Sequence, residues 1–345
     1  MVNLCGGLAT HGASVTLVTL SDSESDFYPV SPSTTRVPLD VLHATRSAPA
    51  ALRATWHRLR VLRTAIMASR PDVVLSFMDS TNVLVLLALL GTNIPVVVAE
   101  RNNPWMLPIG RVWAVLRRIT YRLAHRITIQ TEELRAFFPR GLQTRIRVIP
   151  NAVVCAPQSA VPRQPIILAA GRLEPQKGFD VLINAFALAS PAIPDWTLRI
   201  VGEGSQRHEL ESLRTAAGAA IAARVSMPGR SASMAVEYAR ASIFVLASRF
   251  EGFPNVLCEA MAHGCAAVAT RCRTGPSEIV RDGIDGILIH VDDVSALAAE
   301  ITSLAQDDSR RSALGAAARS LPDRFSETAI NRRWFELLTE AAKRH

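Results

Sequence analysis

Short apolar runs alternate with helical patterns along this sequence. Runs of β-type residues predict buried strands, and apolar residues that return every three or four positions predict helices between them. The predicted strands are 15–20, 73–77, 96–99, 126–130, 146–149, 166–170, 197–201, 224–227, 243–247, 266–269 and 287–289. Strands that alternate with helices predict α/β domains built on parallel sheets.

The predicted helices share this apolar periodicity and differ mainly in length. They are 50–69, 81–90, 110–125, 131–138, 178–190, 205–217, 231–240, 255–263, 276–281, 293–306 and 326–343. The polar side chains of Asp79, Ser80 and Thr81 are expected to cap the helix that follows them. Residues 21–38 are polar and contain proline, which predicts an extended loop with a short strand.

A domain boundary is expected in the middle of the chain. Pro150 and Asn151, followed by the proline-rich stretch 157–165, interrupt the alternation before it restarts. The predicted organisation is an α/β domain over 1–150, a linker over 151–165, a second α/β domain over 166–325 and a C-terminal helix over 326–345. We expect that helix to pack back toward the first domain. A length of 345 residues fits two domains, each with its own core.

The first residues predict a helix already under way, which ends near Gly12. A doubly wound domain normally begins with a strand and a glycine-rich turn before this helix, so both are expected to be missing here. Gly6 and Gly7 lie inside the helical pattern and do not predict a phosphate loop. A start assigned too far downstream or a truncated, damaged copy would each explain the pattern. Either predicts low stability or low activity for the chain as given.

The net charge of +8 lies entirely in the first half of the chain. Residues 1–150 contain 17 Lys and Arg against 9 Asp and Glu, whereas residues 151–345 contain 21 of each. Much of the excess falls in two arginine-rich stretches, 53–70 and 111–126. One such helix is most simply a solvated face, but two in one domain favour an anionic partner, either anionic lipid or a lipid-linked diphosphate. Aromatic residues are not interleaved with the arginines as in base-stacking proteins, so nucleic acid is not the expected partner.

Cysteine use and hydropathy predict a cytoplasmic protein. The five cysteines are odd in number and lack Cys-x-x-Cys spacing, which predicts reduced thiols without a disulfide framework or a zinc site. The sequence also shows no cluster of carboxylates that would suggest a site for another metal. The most apolar stretch, 83–90, is far shorter than the ~20 residues needed to cross a bilayer, and no signal peptide is predicted.

The stretch 248–263 carries the clearest chemistry. Gly252 and Pro254 follow a predicted strand, and a helical pattern starts at Asn255. The free N–H groups of a helix start attract phosphate. Glu251 and Glu259 lie eight positions apart beside this helix start. Because carboxylates next to an anion site are electrostatically costly, we expect them to bind hydroxyl groups. A sugar nucleotide offers both phosphate and hydroxyls.

A second stretch, 171–179, also directly follows a predicted strand. Gly171 permits a tight turn, and Arg172 and Lys177 place two cations at the carboxyl end of the strand, which suits a diphosphate that gains charge as it leaves. Taken alone, such cations would more often be solvated. Their combination with the glutamate stretch favours a binding role.

These motifs together resemble the retaining glycosyltransferases of the glycogen and sucrose synthase-like "group 1" family. The matching stretches are Gly-Arg-Leu-Glu-Pro-Gln-Lys-Gly-Phe at 171–179, Val-Gly-Glu-Gly at 201–204, Pro-Gly-Arg at 228–230, Phe-Glu-Gly-Phe-Pro-Asn-Val-Leu-Cys-Glu-Ala-Met-Ala at 250–262 and Gly-Pro-Ser-Glu-Ile-Val at 275–280. The stretches at 25–29, 76–79 and 99–102 are similar to the subgroup that extends lipid-linked oligosaccharides. The resemblance implies the GT-B fold, in which two doubly wound parallel-sheet domains face each other across a cleft.

The resemblance also implies residue roles. It assigns catalysis to three residues. Glu251 contacts hydroxyls of the transferred sugar, and Arg172 and Lys177 hold the donor diphosphate. Glu259 is expected to bind the ribose diol, and Arg230 to border the base. The other donor-binding residues implied are Gly171, Gly252, Phe253, Pro254 and Asn255. The turn at 99–102 stands where many relatives carry a histidine, so a role there is not assigned.

The implied function is transfer of a hexose or N-acetylhexosamine, with retention, from a nucleotide diphosphate sugar to a lipid-linked saccharide. UDP is favoured over GDP, no metal or other cofactor is expected, and the domain over 1–150 is the acceptor side. The polyprenyl-diphosphate acceptor and the basic first domain imply a peripheral position on the inner membrane face. The alternatives are transfer to a soluble acceptor and a truncated, non-catalytic remnant. A sugar-nucleotide epimerase of the same fold would not be expected to carry this glutamate pair.

Overall fold

The computed structural model describes residues 1–22, 29–42, 47–154 and 161–343. Motif residues 25–28 and residues 155–160 of the predicted linker lie outside the described residues. The chain divides into two compact units. Unit 1 comprises Met1–Pro150 and Glu327–His345, and unit 2 comprises Asn151–Ser326.

The elements of the described residues alternate between strand and helix along most of the chain. The strands are β1 (Val15–Thr19), β2 (Thr34–Pro38), β3 (Val74–Phe77), β4 (Val96–Ala99), β5 (Arg126–Ile129), β6 (Ile146–Val148), β7 (Gln164–Ala170), β8 (Thr197–Val201), β9 (Val225–Gly229), β10 (Ala241–Leu246), β11 (Ala266–Thr270) and β12 (Ile287–Ile289). The α-helices are α1 (Val2–Thr10), α2 (Ala48–Ser69), α3 (Asp79–Ala88), α4 (Arg111–Thr120), α5 (Phe179–Ala189), α6 (Arg207–Ala216), α7 (Ala219–Ala222), α8 (Met234–Arg240), α9 (Asn255–Ala262), α10 (Pro276–Ile279), α11 (Val294–Gln306), α12 (Asp308–Ala318), α13 (Leu321–Arg324) and α14 (Glu327–Ala342). Short 3₁₀ turns occur at Tyr121–Leu123, Glu132–Phe137, Arg140–Arg145 and Pro175–Lys177.

The described residues of unit 2 form a doubly wound domain around one parallel sheet. Its strand order is β9-β8-β7-β10-β11-β12, and every pairing is parallel. The chain starts in the middle of this sheet, moves outward through β8 and β9, and returns to β10 on the other side of β7. The reversal creates a topological switch point between β7 and β10, where ligands bind in open α/β sheets.

Apolar layers cover both faces of this sheet. One layer packs side chains such as Leu182, Phe186 and Ile301 from α5 and α11 against the strands. The other layer packs Leu257 and Met261 of α9 against the opposite face. These side chains are almost completely excluded from solvent, and each such burial contributes roughly 2–3 kcal/mol. The strands can therefore be nearly continuous apolar runs, as parallel strands covered on both faces usually are.

Unit 1 contains two parallel sheets among its described residues. β1 and β2 form a pair, and β3-β4-β5-β6 form a four-stranded sheet. Within the described ranges, no strand joins the pair to the larger sheet. The expected loss of a first strand remains a prediction.

The helices at the two ends of the chain pack against each other in unit 1. The contact between α1 and α14 places Gly7 against Asn331, and a side-chain carbon at position 7 would lie 2.1 Å from Asn331 Nδ2. The prediction that Gly6 and Gly7 lie inside a helix is confirmed. At Gly7, the glycine permits the two helices to approach closely.

Several local predictions were wrong. Helix α3 starts at Asp79, with Met78 at the N-cap position, so Asp79, Ser80 and Thr81 form its first turn and do not precede it. The segment predicted as a helix over 131–138 forms 3₁₀ turns. Helices α12 and α13 occupy a region for which no element was predicted.

Candidate active site

The loops that follow β7 and β10 meet at the switch point of unit 2. They are joined by two hydrogen bonds: the Arg249 amide donates to the Gln176 carbonyl at 2.8 Å, and the Gln176 side chain donates to the Phe250 carbonyl at 2.9 Å. Pro254 occupies the N-cap position of α9, which begins at Asn255 as predicted. The two motif stretches recognised in the sequence therefore lie side by side in the structure.

Two glycines allow this close contact between loops. Gly178 has a φ of 62°, and a side-chain carbon there would lie 2.1 Å from the carbonyl oxygen of Ala247. Gly202, which follows β8, has a φ of 150°, and a side-chain carbon there would lie 1.8 Å from the carbonyl oxygen of Gly171. Any other residue at either position would force the loops apart and strain the backbone.

Lys177 and Glu251 form an ion pair at the centre of these loops. Lys177 Nζ lies 2.6 Å from Glu251 Oε1, and the two side chains are only 14% and 7% exposed. The Ser248 hydroxyl donates to the same carboxylate oxygen at 2.6 Å, and the Thr274 hydroxyl donates to the Glu251 carbonyl oxygen. The sequence assigned these two residues to phosphate and sugar. The structure places them in direct contact, so each neutralises the other in the nucleotide-free chain.

The remaining predicted phosphate contacts surround this pair. Arg172 is exposed and lies directly beyond Gly171 at the end of β7. Phe253 and Pro254 are buried, while Gly252 is partly accessible. Asn255 is exposed at the start of α9, and its side-chain oxygen accepts a 2.7 Å hydrogen bond from Asn151. Cationic and N–H groups therefore lie at the same end of the sheet, as a diphosphate would require.

Arg230 is exposed and directly follows β9. The Arg207 guanidinium, which donates to Glu203, together with the charge of Arg230, lowers the pKa of Glu203. A side-chain carbon at Gly229, directly before Arg230, would lie 2.7 Å from Glu203 Oε1, so the chain at Arg230 passes near the carboxyl end of β8. Arg230 therefore lies on the β8–β9 side of the switch point.

Glu259 lies on α9 and has a tyrosine partner. The Tyr238 hydroxyl donates to Glu259 Oε2 at 2.9 Å. Glu259 remains exposed to solvent, yet the surrounding protein desolvates it enough to raise the pKa of its carboxyl, an effect that the phenol opposes. Sequence reasoning missed Tyr238, Ser248 and Thr274, because ordinary hydroxyl residues give no signal until folding places them beside a carboxylate.

The polar turn that begins at Glu100, directly after β4, belongs to unit 1, and its glutamate side chain is buried in the core of that unit. Glu100 is 1% exposed and accepts a hydrogen bond from the Tyr121 hydroxyl, while Arg117 Nη1 lies 3.8 Å from Glu100 Oε1. Asn82 donates to Tyr121 at 3.0 Å and to the Ala99 carbonyl at 3.1 Å. Burial raises the pKa of Glu100 from 4.5 to about 7, against the lowering effect of Tyr121 and Arg117. The contacts of the Glu100 side chain described above are therefore all with residues of unit 1.

Helix α4 exposes an apolar stripe. Val112, Val115 and Ile119 are 71%, 58% and 57% exposed, and their spacing places them on one side of the helix. Arg117 lies on the opposite, buried side, where its guanidinium covers the ring of Phe137 at 4.7 Å. Arg111, Arg118 and Arg122 are exposed beside the stripe. The arginine-rich stretch predicted from the sequence therefore presents both cations and aliphatic side chains to solvent.

The described residues show neither a membrane span nor a metal-binding cluster. None of the described helices combines the length and the hydropathy needed to cross a membrane. In the same residues, no group of three or more His, Cys, Asp or Glu side chains could hold a metal ion.

Solved structures of similar architecture show the fold. The chain is similar to sucrose-phosphate synthase of Thermosynechococcus elongatus, with a TM-score of 0.85 and 19% identity over 99% of this chain and 92% of that one. It is also similar to Anabaena Alr3699/HepE in complex with UDP and glucose, with a TM-score of 0.78 and 18% identity over 98% and 95% of the two chains. The fold is therefore that of the GT-B glycosyltransferases, as the sequence predicted.

Family models match most of the chain. Residues 164–307 match the model "Glycosyl transferases group 1", and residues 1–152 match the model "Glycosyl transferase 4-like domain". The chain belongs to the group 1 glycosyltransferases, which confirms the resemblance drawn from the motifs.

Two curated relatives indicate how far the similarity extends. An exopolysaccharide phosphotransferase of Streptomyces coelicolor is 38% identical over 63% of this chain, but the match spans only 24% of that protein. A Campylobacter jejuni α-1,4-N-acetyl-D-galactosaminyltransferase, named for an undecaprenol-diphosphate-linked saccharide, is 26% identical over 84% of this chain and 80% of its own length. The chain thus spans about a quarter of one relative and four-fifths of the other.

Proposed function

We propose that this glycosyltransferase moves a hexose or N-acetylhexosamine, with retention of configuration, from a nucleotide diphosphate sugar to a lipid-linked saccharide. The observation that carries the proposal is the Lys177–Glu251 pair at the switch point of unit 2. A diphosphate that approaches Lys177 competes with the carboxylate for the ammonium group. Glu251 then becomes available to accept hydrogen bonds from sugar hydroxyls, with Ser248 holding its orientation.

The chemistry needs positioning and charge stabilisation. Arg172 and Lys177 would stabilise the leaving diphosphate, whose charge grows in the transition state. The free N–H groups at the start of α9 would add to this stabilisation. The acceptor hydroxyl would attack the sugar on the face that the diphosphate leaves, and a departing phosphate oxygen would take its proton, which requires no covalent enzyme intermediate.

UDP is the favoured nucleotide, and the sugar nucleotide serves as substrate without a separate metal or cofactor. Support for UDP comes from the Anabaena neighbour, whose crystal contained UDP and glucose. Support for a polyprenyl-linked acceptor comes from the Campylobacter relative, whose name specifies one. Nucleic acid has no part in this proposal.

A donor screen tests the proposal directly. UDP- and GDP-sugars are incubated with the protein and either a polyprenyl-diphosphate-linked saccharide or a soluble sugar acceptor. Nucleotide release and product anomer are measured with and without a chelator. We expect release with a UDP-sugar, an unchanged rate with chelator and a product of the donor's anomeric configuration. Release only with a soluble sugar acceptor would favour the first alternative, and no release with any donor would favour a non-catalytic remnant.

A matched pair of variants links the activity to the site. Glu251→Gln should lower kcat by at least about 100-fold, because the amide cannot replace a charged acceptor at the sugar. Glu300→Gln removes another ion-paired glutamate of unit 2, on α11 beside Arg310, and should leave kcat unchanged. Equal rates in both variants would contradict the assignment of Glu251.

We also propose that α4 holds the protein on the anionic inner membrane face, as a peripheral cytoplasmic enzyme. Its exposed valines and isoleucine can enter the lipid interface. The neighbouring arginines contact the headgroups, and each arginine contributes about 1 kcal/mol to binding near an anionic surface. In vesicle flotation we expect binding to anionic but not neutral vesicles, and release by salt.

Two aspartate substitutions test the face. Val115→Asp should abolish flotation, whereas Val236→Asp, at a 52% exposed position of α8 in unit 2, should not. Flotation that survives Val115→Asp would exclude α4 as the contact.

A further inference from the structure

Tyr238 is held rigidly behind the second glutamate of the motif. It belongs to α8, its side chain is 1% exposed, and its ring lies edge-on to Phe244 at 6.0 Å and beside His263 at 5.3 Å between centroids. Its carbonyl oxygen accepts hydrogen bonds from Cys265 Sγ at 3.2 Å and from Arg163 at 3.3 Å. The phenol therefore has a fixed position, and its hydroxyl ends 2.9 Å from Glu259 Oε2.

Glu259 has more conformational freedom than its partner. It is exposed on the surface of α9, where a glutamate samples several rotamers at a cost of about 1–2 kcal/mol in entropy when it is fixed. A hydrogen bond from a buried phenol selects one of these rotamers before any ligand arrives. Because a carboxylate has about four lone-pair positions, the phenol leaves about three, which is enough for the two ribose hydroxyls.

We propose that Tyr238 is a positioning residue that aims the Glu259 carboxylate at the two vicinal hydroxyls of the nucleotide ribose. The proposal rests on the assignment of Glu259 to the ribose diol. It adds that the preference for a ribonucleotide over a deoxyribonucleotide depends on the Tyr238 hydroxyl, which does not touch the ligand. A carboxylate without this hydrogen bond must be ordered by the ligand itself, which lowers affinity for the diol in particular.

The test compares binding of UDP and 2′-deoxy-UDP by calorimetry to the wild-type chain and to Tyr238→Phe. The wild type should bind UDP at least about tenfold more tightly, since a hydrogen bond to a charged group is lost with the 2′-hydroxyl. Tyr238→Phe should bind UDP within about threefold of its own affinity for 2′-deoxy-UDP. With a UDP-sugar donor, KM should rise while kcat is maintained, as expected for lost binding that is equal in the ground and transition states.

Controls separate this inference from the assignment on which it rests. Glu259→Gln should lose the preference for UDP. Tyr121→Phe removes the hydroxyl of another buried tyrosine that donates to a glutamate, in unit 1. This variant should keep the preference for UDP. The ratio of the two affinities does not depend on the fraction of folded protein, so partial unfolding of a variant does not obscure it.

Two results would overturn the inference in different ways. If the wild type binds both nucleotides equally, the ribose assignment of Glu259 fails and the role of Tyr238 fails with it. If the wild type prefers UDP and Glu259→Gln does not, but Tyr238→Phe keeps the full preference, the ribose assignment stands and the positioning role alone is wrong.

Discussion

Replacing Glu100 with glutamine should remove a pH-dependent loss of stability from unit 1. Glu100 lies beneath α3 and α4 with its carboxyl buried, and its pKa is raised from 4.5 to about 7. Below pH 4.5 the carboxyl is protonated in both the folded and the unfolded chain, so its neutral form is buried without penalty. Between pH 4.5 and 7 the unfolded chain releases the proton while the folded chain retains it. Stability therefore falls as pH rises through this window.

The size of this effect follows from the shift itself. Each unit of pKa corresponds to about 1.4 kcal/mol, so the wild-type chain should lose about 3 kcal/mol between pH 4.5 and pH 8 through Glu100 alone. Glu100→Gln does not titrate, and its amide oxygen can still accept the hydrogen bond from Tyr121. The difference in unfolding free energy, variant minus wild type, should thus increase by about 3 kcal/mol across this range.

Urea denaturation monitored by tryptophan fluorescence measures the difference. Unit 1 contains all but one of the tryptophans: Trp56, Trp105, Trp113 and Trp334. A Trp196→Phe background therefore restricts the signal to unit 1, which matters because two units need not unfold in one transition. Glu336→Gln, at an exposed position of α14, controls for the loss of one carboxylate. A difference between Glu100→Gln and wild type that stays constant from pH 5 to pH 8 would refute the raised pKa.

Two further predictions concern unit 2. Gly202→Ala should lower the free energy of unfolding by at least about 2 kcal/mol and weaken nucleotide binding, because the new methyl group would collide with the Gly171 carbonyl and the backbone would be strained. Gly283→Ala shares the positive φ but has open space around it; equal losses of stability and affinity in the two variants would argue against the steric explanation. Lys177→Met should cost about 3–5 kcal/mol in urea denaturation because the buried Glu251 carboxylate loses the cation of its ion pair. Lys177→Met combined with Glu251→Gln should recover most of that loss, and strictly additive costs would show that the pair is not coupled.

The sequence predicted the elements around the site because their signals are local. An apolar run, then glycine and proline, then a helical period define β10, the loop and the start of α9 at Asn255. Helix α12 gave no such signal, since Gly315 lowers its intrinsic helix propensity by about 1 kcal/mol. In the structure, that glycine permits close packing, as a side-chain carbon there would lie 2.4 Å from the Gly264 carbonyl oxygen.

Contacts between distant positions could not be predicted in the same way. Lys177 and Glu251 are 74 positions apart, and each motif suggested a ligand for its own residue. Their direct pairing depends on the strand order, which brings the ends of β7 and β10 together. The hydrogen bond from Tyr238 to Glu259 likewise requires α8 and α9 to pack on the same face of the sheet. Local periodicity specifies neither arrangement.

Three buried cysteines among the described residues of unit 2 can report when this unit opens. Cys258, Cys265 and Cys272 are 2%, 0% and 3% exposed, and burial raises the pKa of each thiol, for Cys272 to about 11. Alkylating reagents attack the thiolate, so these sulfur atoms can react only in molecules whose packing has transiently come apart. The labelling rate at each sulfur, read by mass spectrometry, therefore measures how often unit 2 opens around that sulfur under native conditions. A nucleotide that binds only the closed form of unit 2 would lengthen the labelling time by the same factor as it suppresses the openings.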